Sequence, residues 1–182
     1  MEVILRNVRL SFPELWKARE FKGTVNYSAK FFVEPGSAND KAINDTITAV
    51  AKAKFPEKWE MYLEEFRPDK KAYPYINGKR VEYSGAEGKW VLTAKRKETD
   101  GRPLVIDQRK TPLTPADGKP YSGCYVNVKV DIYAQDGENK GIRCSLVTVQ
   151  FAGDGEAFSG SKPATDDGFD DISDTGEADD LL

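Results

Sequence analysis

The chain has 182 residues, 39% hydrophobic and 31% charged, which suits one ordinary domain plus an appendage. No run of 18 apolar residues occurs, so no membrane-spanning helix is expected, and Met1-Glu2-Val3-Ile4-Leu5-Arg6 lacks the pattern of a secretory signal; a cytoplasmic location is the expectation. Histidine is absent, which removes the usual general base, the commonest metal ligand and every Ser-His or Cys-His nucleophile pair. Neither a catalytic residue nor a cofactor is expected, and the adjacent pair Glu64-Glu65 reads as a solvated helix face.

In chain order, residues 3–12 read as a strand with an irregularity, because Val3-Ile4-Leu5 breaks alternation. Residues 25–33 form a second strand, closed by Pro35-Gly36. One clear helix follows. Ser37 is its N-cap, Asp40 its third residue, Ile43, Ile47, Val50 and Ala51 its apolar stripe, and Pro56 its end. A shorter helical piece is marked by Trp59, Tyr62, Leu63 and Phe66. Asn77-Gly78 between residues 73–76 and 80–83 signals a hairpin, and Asp100-Gly101 links 90–97 to 103–107 in the same way. A long loop from Arg109 to Gly123 precedes two closing strands, 124–134 and 142–152, joined around Asp136-Gly137. A pairing of Tyr133 near Ile142 sets Cys124 opposite Phe151, away from Cys144, so both thiols are expected reduced and buried.

The net charge of −3 conceals a division. Residues 154–182 hold ten acidic residues and one lysine, a net −9, whereas residues 1–153 hold 26 basic and 20 acidic residues, a net +6. Apolar periodicity also stops at Gly153, and such a stretch buries too little to offset its ordering entropy. The expected organisation is a β domain over residues 1–153 and a disordered acidic tail over 154–182. For the body, an OB-fold-like antiparallel β-barrel with one inserted α-helix is the best match, with a β-sandwich as competitor.

Residues 124–133 alternate without a fault. Cys124, Val126, Val128, Val130 and Ile132 face the core; Tyr125, Asn127, Lys129, Asp131 and Tyr133 face outward. Aromatic rings beside cations suit single-stranded nucleic acid, which needs stacking surfaces and phosphate partners. The plain alternative is a solvated strand face whose tyrosines pack under a loop. Further cations gather at Lys95-Arg96-Lys97, Arg102 and Arg109-Lys110, while Lys79-Arg80 and Lys89 lie near Tyr73, Tyr75, Tyr83 and Trp90. A tethered acidic tail beside such a surface would occupy it transiently. Once displaced, the tail would offer Phe169, Asp170, Asp171, Ile172, Asp179, Asp180, Leu181 and Leu182 to partner proteins.

Four segments carry a family resemblance: Asn7-Val8-Arg9-Leu10-Ser11-Phe12, Tyr27-Ser28-Ala29-Lys30-Phe31-Phe32-Val33, Gly123-Cys124-Tyr125-Val126-Asn127-Val128 and Leu146-Val147-Thr148-Val149-Gln150-Phe151. In their order and spacing, followed by Gly153-Asp154-Gly155-Glu156-Ala157-Phe158, the chain resembles phage-encoded single-stranded DNA-binding proteins of the podophage replication type. The resemblance implies an OB-fold, sequence-tolerant ssDNA binding, and a tail that contacts replication or recombination proteins. It makes Arg9, Lys30, Tyr125 and Lys129 candidates for the binding surface. Related tails commonly end in an aromatic residue; this one ends Asp179-Asp180-Leu181-Leu182.

The expected function is to coat and protect single-stranded DNA during phage replication, recombination or repair. A homodimer is left open. The alternatives are an RNA or general nucleic-acid module, a metal-dependent nuclease using carboxylates among Glu82, Glu98, Asp100, Asp107 and Asp131, and a virion or lectin-like sandwich.

Overall fold

Period-two alternation builds the closing strands as expected. In β6 (Tyr125–Gln135), Val126, Val128, Val130 and Ile132 are buried, and Tyr125, Asn127, Lys129 and Asp131 are only half-buried. The computed structural model describes residues 1–158; the expectations placed on Phe169, Asp170, Asp171, Ile172, Asp179, Asp180, Leu181 and Leu182 lie outside the described residues. β7 (Gly141–Gly153) returns antiparallel to β6, with Ala134 opposite Ile142 and Val126 opposite Phe151. The expected register is therefore off by one residue at the hairpin and by two at Phe151. A bulge between Lys129 and Val130 accounts for the growing offset. Cys124 and Cys144 are free and buried, and burial pushes the Cys124 thiol up to about 11.

β1 (Glu2–Phe21) is twice as long as the expected strand. It curls around the body by slipping register between Leu5 and Val8 against β6, and between Ser11, Glu14 and Arg19 against β2 (Thr24–Val33). Bulges bend and twist a strand in this way. β2 pairs next with β4 (Trp90–Lys97), and β4 meets β7 in parallel at Lys95 and Ser145. The circuit β1-β2-β4-β7-β6 and back to β1 is a closed five-stranded barrel of OB type, which rules out the sandwich.

Between β2 and β4 the insertion holds two helices, where one was expected to dominate. α1 (Ala38–Lys54) starts at Ser37, whose Oγ accepts from the Asp40 amide, and buries Ile43, Ile47 and Ala51. α2 (Trp59–Phe66) buries Leu63 and Phe66 and sets the Tyr62 and Phe66 rings against Phe55.

Both expected hairpins are overturned, and the reason is tertiary pairing. β3 (Tyr75–Asn77) pairs with β4 instead of with residues 80–83. Asn77 Oδ1 accepts from the Lys79 amide and opens a 3-10 turn, while the Gly78 amide donates to the Lys89 carbonyl. A Cβ on Gly78 would run into the carbonyl oxygens of Ala86 and Lys89, so this glycine serves a close backbone approach rather than a reversed turn. Likewise β5 (Leu104–Ile106) lies parallel to β7, not antiparallel to β4. The Arg96 guanidinium, donating to the Asp100 and Gly101 carbonyls, holds the intervening turn.

Residues just beyond Gly153 also touch the barrel. Tyr121 donates from its hydroxyl to Asp154 (2.7 Å), Arg9 donates to the Glu156 carbonyl (2.7 Å), and the Phe158 amide donates to the Ser122 carbonyl (3.2 Å). Gly123, at φ +106°, passes so close under Glu156 that a Cβ would strike its carbonyl. Residues 154–158 thus strap across the barrel and deliver the Phe158 ring to a small cluster on the outer face of β2 and β4. That cluster contains Phe32, Ile76, Ala86 and Val91. Among the described residues, no helix is long and apolar enough to cross a membrane.

Candidate nucleic-acid interface

The outer face of β2 and β4 is set by their register. Asn26 pairs with Lys97, Ser28 with Lys95 and Lys30 with Thr93, so polar side chains of both strands share the side away from the core. One wall above this face is the segment after α2, with Lys70, Lys71 and Tyr73; the β1–β2 tip contributes Phe21 and Lys22. The β6–β7 hairpin, bonded to the segment after α2 through Arg143 and Ile142, contributes Tyr133, Arg143 and Ser145. Together they enclose a groove of about 750 Å³. Eight cations line it (Lys22, Lys30, Lys70, Lys71, Lys95, Arg96, Lys97 and Arg143) against a single carboxylate, Asp100. Phe21, Tyr73, Tyr83 and Tyr133 add rings, of which Phe21 and Tyr133 are exposed.

Two of these cations are held in place by carbonyls. Arg96 is tied to Asp100, Gly101 and Leu146, and Arg143 donates to the carbonyls of Lys71 and Asn139. Lys30 donates to Thr93 Oγ1 at 3.0 Å and lies 5.4 Å from the Tyr83 ring centre. Burial, followed by the charges of Lys95 and Lys70, lowers its pKa.

Of the expected site residues, the groove gathers Lys30, Lys95, Arg96, Lys97 and Tyr133. It does not gather the others. Tyr75 is buried, donates its hydroxyl to Asp40 (2.8 Å), and stacks at 5.3 Å on Trp90, which packs against the core. Arg80 donates to the carbonyls of Arg67 and Pro68, with Lys79 exposed beside it. Arg9 and Tyr125 lie at the strap, the Arg9 guanidinium 4.2 Å from the Phe158 ring centre and 5.8 Å from that of Tyr125. Asn127 is held between the Asn7 amide and Gln150, and Lys129 sits between Ile4 and Thr148 on the pleat. Arg102 covers Trp16, and Arg109-Lys110 belong to a turn organised by Asp107 Oδ1.

Sequence reasoning missed Phe21, Lys22, Lys70, Lys71 and Arg143. Phe21-Lys22-Gly23 carries a usable signal, a ring and a cation at a turn between two strands. Lys70, Lys71 and Arg143 carry none, because only the barrel closure brings them to β4. Among the described residues no three carboxylates or thiols gather in a metal-binding arrangement. Asp107 caps its own turn, and Asp131 pairs with the amino terminus at 2.6 Å.

The family model "Enterobacter phage Enc34, ssDNA-binding protein" matches residues 1–182. The chain belongs to this family. Protein p50 of Acyrthosiphon pisum secondary endosymbiont phage 1 is 39% identical over 180 residues, covering 95% of each chain. Among solved structures, the single-stranded DNA-binding protein from bacteriophage Enc34 in complex with ssDNA is similar with a TM-score of 0.69 at 23% identity, over 86% of this chain and 89% of that one. Gp2.5, a single-stranded DNA-binding protein of bacteriophage T7, is similar with a TM-score of 0.51 at 12% identity, over 94% and 100% of the two chains. At these identities the structural likeness is one of fold, and the family rests on the sequence matches.

Proposed function

We propose that the chain binds single-stranded DNA in the β2–β4 groove with little regard to base sequence, and so coats and protects exposed strands during phage replication, recombination or repair. The observation that carries this reading is the groove itself: eight cations, one carboxylate and four rings. Its position supports the same conclusion. Barrels of OB type bind oligonucleotides on the face of their second and third strands, between the first and last hairpins. Here those strands are β2 and β4, and those hairpins supply Phe21, Lys22 and Tyr133. The role is non-catalytic, and its setting is the cytoplasm of the host.

The chain divides, in this reading, into a basic body of residues 1–158 and an acidic tail. The body has 26 basic and 22 acidic residues, a net +4; residues 159–182 have one lysine and eight acids, a net −7. The tail competes with DNA for the groove and, when displaced, recruits replication or recombination proteins.

Titrating fluorescent oligo-dT at several salt concentrations tests the reading. Log K falls with log salt, each neutralised phosphate contributing a slope of about −0.7. Measurable affinity with a slope near zero, or no affinity at all, defeats it. A matched ssRNA competitor and a magnesium or manganese incubation complete the test: preference for RNA, or cleaved DNA, moves the function to another class.

A further inference from the structure

Within the groove, one group of cations differs from the rest. Lys30 rises from the β2 face into partly buried space, and its ammonium is bonded there only to a neutral hydroxyl, Thr93 Oγ1. Lys95, two residues beyond Thr93 on the same face of β4, lines the same space, as does Lys70 from the segment after α2. Among the described residues none of the three lysines forms an ion pair, and Lys70 reaches only the Arg80 carbonyl. Of the three, Lys30 is half-buried, and Lys70 and Lys95 are exposed at the rim of the same space.

A half-buried ammonium with two further lysines lining its space and no paired carboxylate leaves a repulsion, and at Lys30 a desolvation cost, that an anion would relieve. The lowered pKa of Lys30 is the mark of both. Thr93 adds a hydroxyl able to donate to the same anion, and the Tyr83 ring closes the site against Lys30.

We infer that Lys30, Lys70, Lys95 and Thr93 form a phosphate-holding subsite, a fixed point that receives one backbone phosphate of the bound strand. The inference rests on the ssDNA reading and deepens it. Most groove cations act through diffuse counterion release; this cluster sets where the strand lies along β4, and with it which bases meet Tyr133 and Phe21.

Two measurements on the full-length protein test it. In the first, oligo-dT affinity and its salt slope are compared for wild type, Lys30→Gln, Lys30→Arg and Lys79→Gln. Lys30→Gln is expected to cut affinity at least tenfold and to flatten the slope by about 0.7, one phosphate's share. Lys30→Arg keeps most of the slope, and Lys79→Gln changes neither. Melting temperature is read alongside. Removing a crowded, desolvated cation leaves it equal or raises it, whereas a lysine that merely holds the fold lowers melting and binding together. In the second, inorganic pyrophosphate is titrated against the lysine side-chain NMR signals, and Lys30, Lys70 and Lys95 are expected to shift first. Wild-type affinity and slope in Lys30→Gln overturn the subsite and leave the ssDNA reading standing. Pyrophosphate binding at these lysines without any DNA affinity does the reverse.

Discussion

Of the places where this molecule sets an arginine or lysine beside aromatic rings, the strap and the groove differ in what those groups are free to do. At the strap, Arg9 spends its guanidinium on the carbonyls of Gly123 and Glu156 and lies over the Phe158 ring. In the groove, Lys30, Lys95 and Lys97 have no acidic partner among the described residues, and Tyr133 is 38% exposed. The residue types are the same. Composition alone therefore does not mark a nucleic-acid surface; unsatisfied charge beside an accessible ring does.

The sharpest way to break this contrast is to neutralise the groove. Replacing Lys71, Lys95 and Lys97 together by Gln should flatten the salt slope of oligo-dT binding by about 2, at about 0.7 for each phosphate released. An unchanged slope places the DNA elsewhere on the barrel. Next in size, Tyr133→Ala should weaken binding by about 1–3 kcal/mol, the usual loss for one stacked base. Its melting temperature should hold, because the ring stands outside the core.

The strap should answer in the opposite way. Phe158→Ala is expected to lower stability by about 1–3 kcal/mol, the scale for a largely covered apolar side chain, in a chemical denaturation experiment. Tyr125→Ala should also act on stability first, contrary to the expectation that this ring stacks a base. A loss of DNA affinity in Tyr125→Ala with normal melting would reunite the two surfaces.

Two truncations sharpen the same boundary. Ending the chain after Phe158 should preserve melting and strengthen ssDNA binding, most visibly at low salt where the Debye length exceeds roughly 10 Å. Ending it after Gly153 should lower the melting temperature, since Arg9, Tyr121 and Phe32 lose their partners. Equal melting for the two truncations would put residues 154–158 with the tail. The smallest effect is expected from Lys79→Gln and Lys110→Gln, exposed cations away from the groove, which should leave oligo-dT affinity within error.

Local signals carried a good deal of this molecule. Residues 124–133 announced their own core face, and all five apolar members are buried. Ser37, Asp40 and Pro56 announced the limits of α1. The absence of histidine, and the accumulation of acids after Gly153, are properties of the sequence and stand apart from any fold. These features are legible because alternation, capping and composition act over a few residues.

What the sequence could not supply was everything that depends on which strand meets which. Asn77-Gly78 and Asp100-Gly101 both favour hairpins locally, yet β3 joined β4 and β5 joined β7, because those pairings bury Ile76 and Val105 while a free hairpin would not. The same holds for the candidate site. Tyr75 and Trp90 looked like stacking rings, yet Tyr75 is buried on Asp40 with Trp90 stacked against it, whereas Lys71 and Arg143, 72 residues apart in the chain, are joined by a hydrogen bond at the groove. Sequence by itself determined the residue types, the strand faces and the charge division of this protein. Only the closure of β4 on β7 decided which cations share a space, because long-range backbone pairing, not local propensity, sets the distance between side chains far apart in the chain.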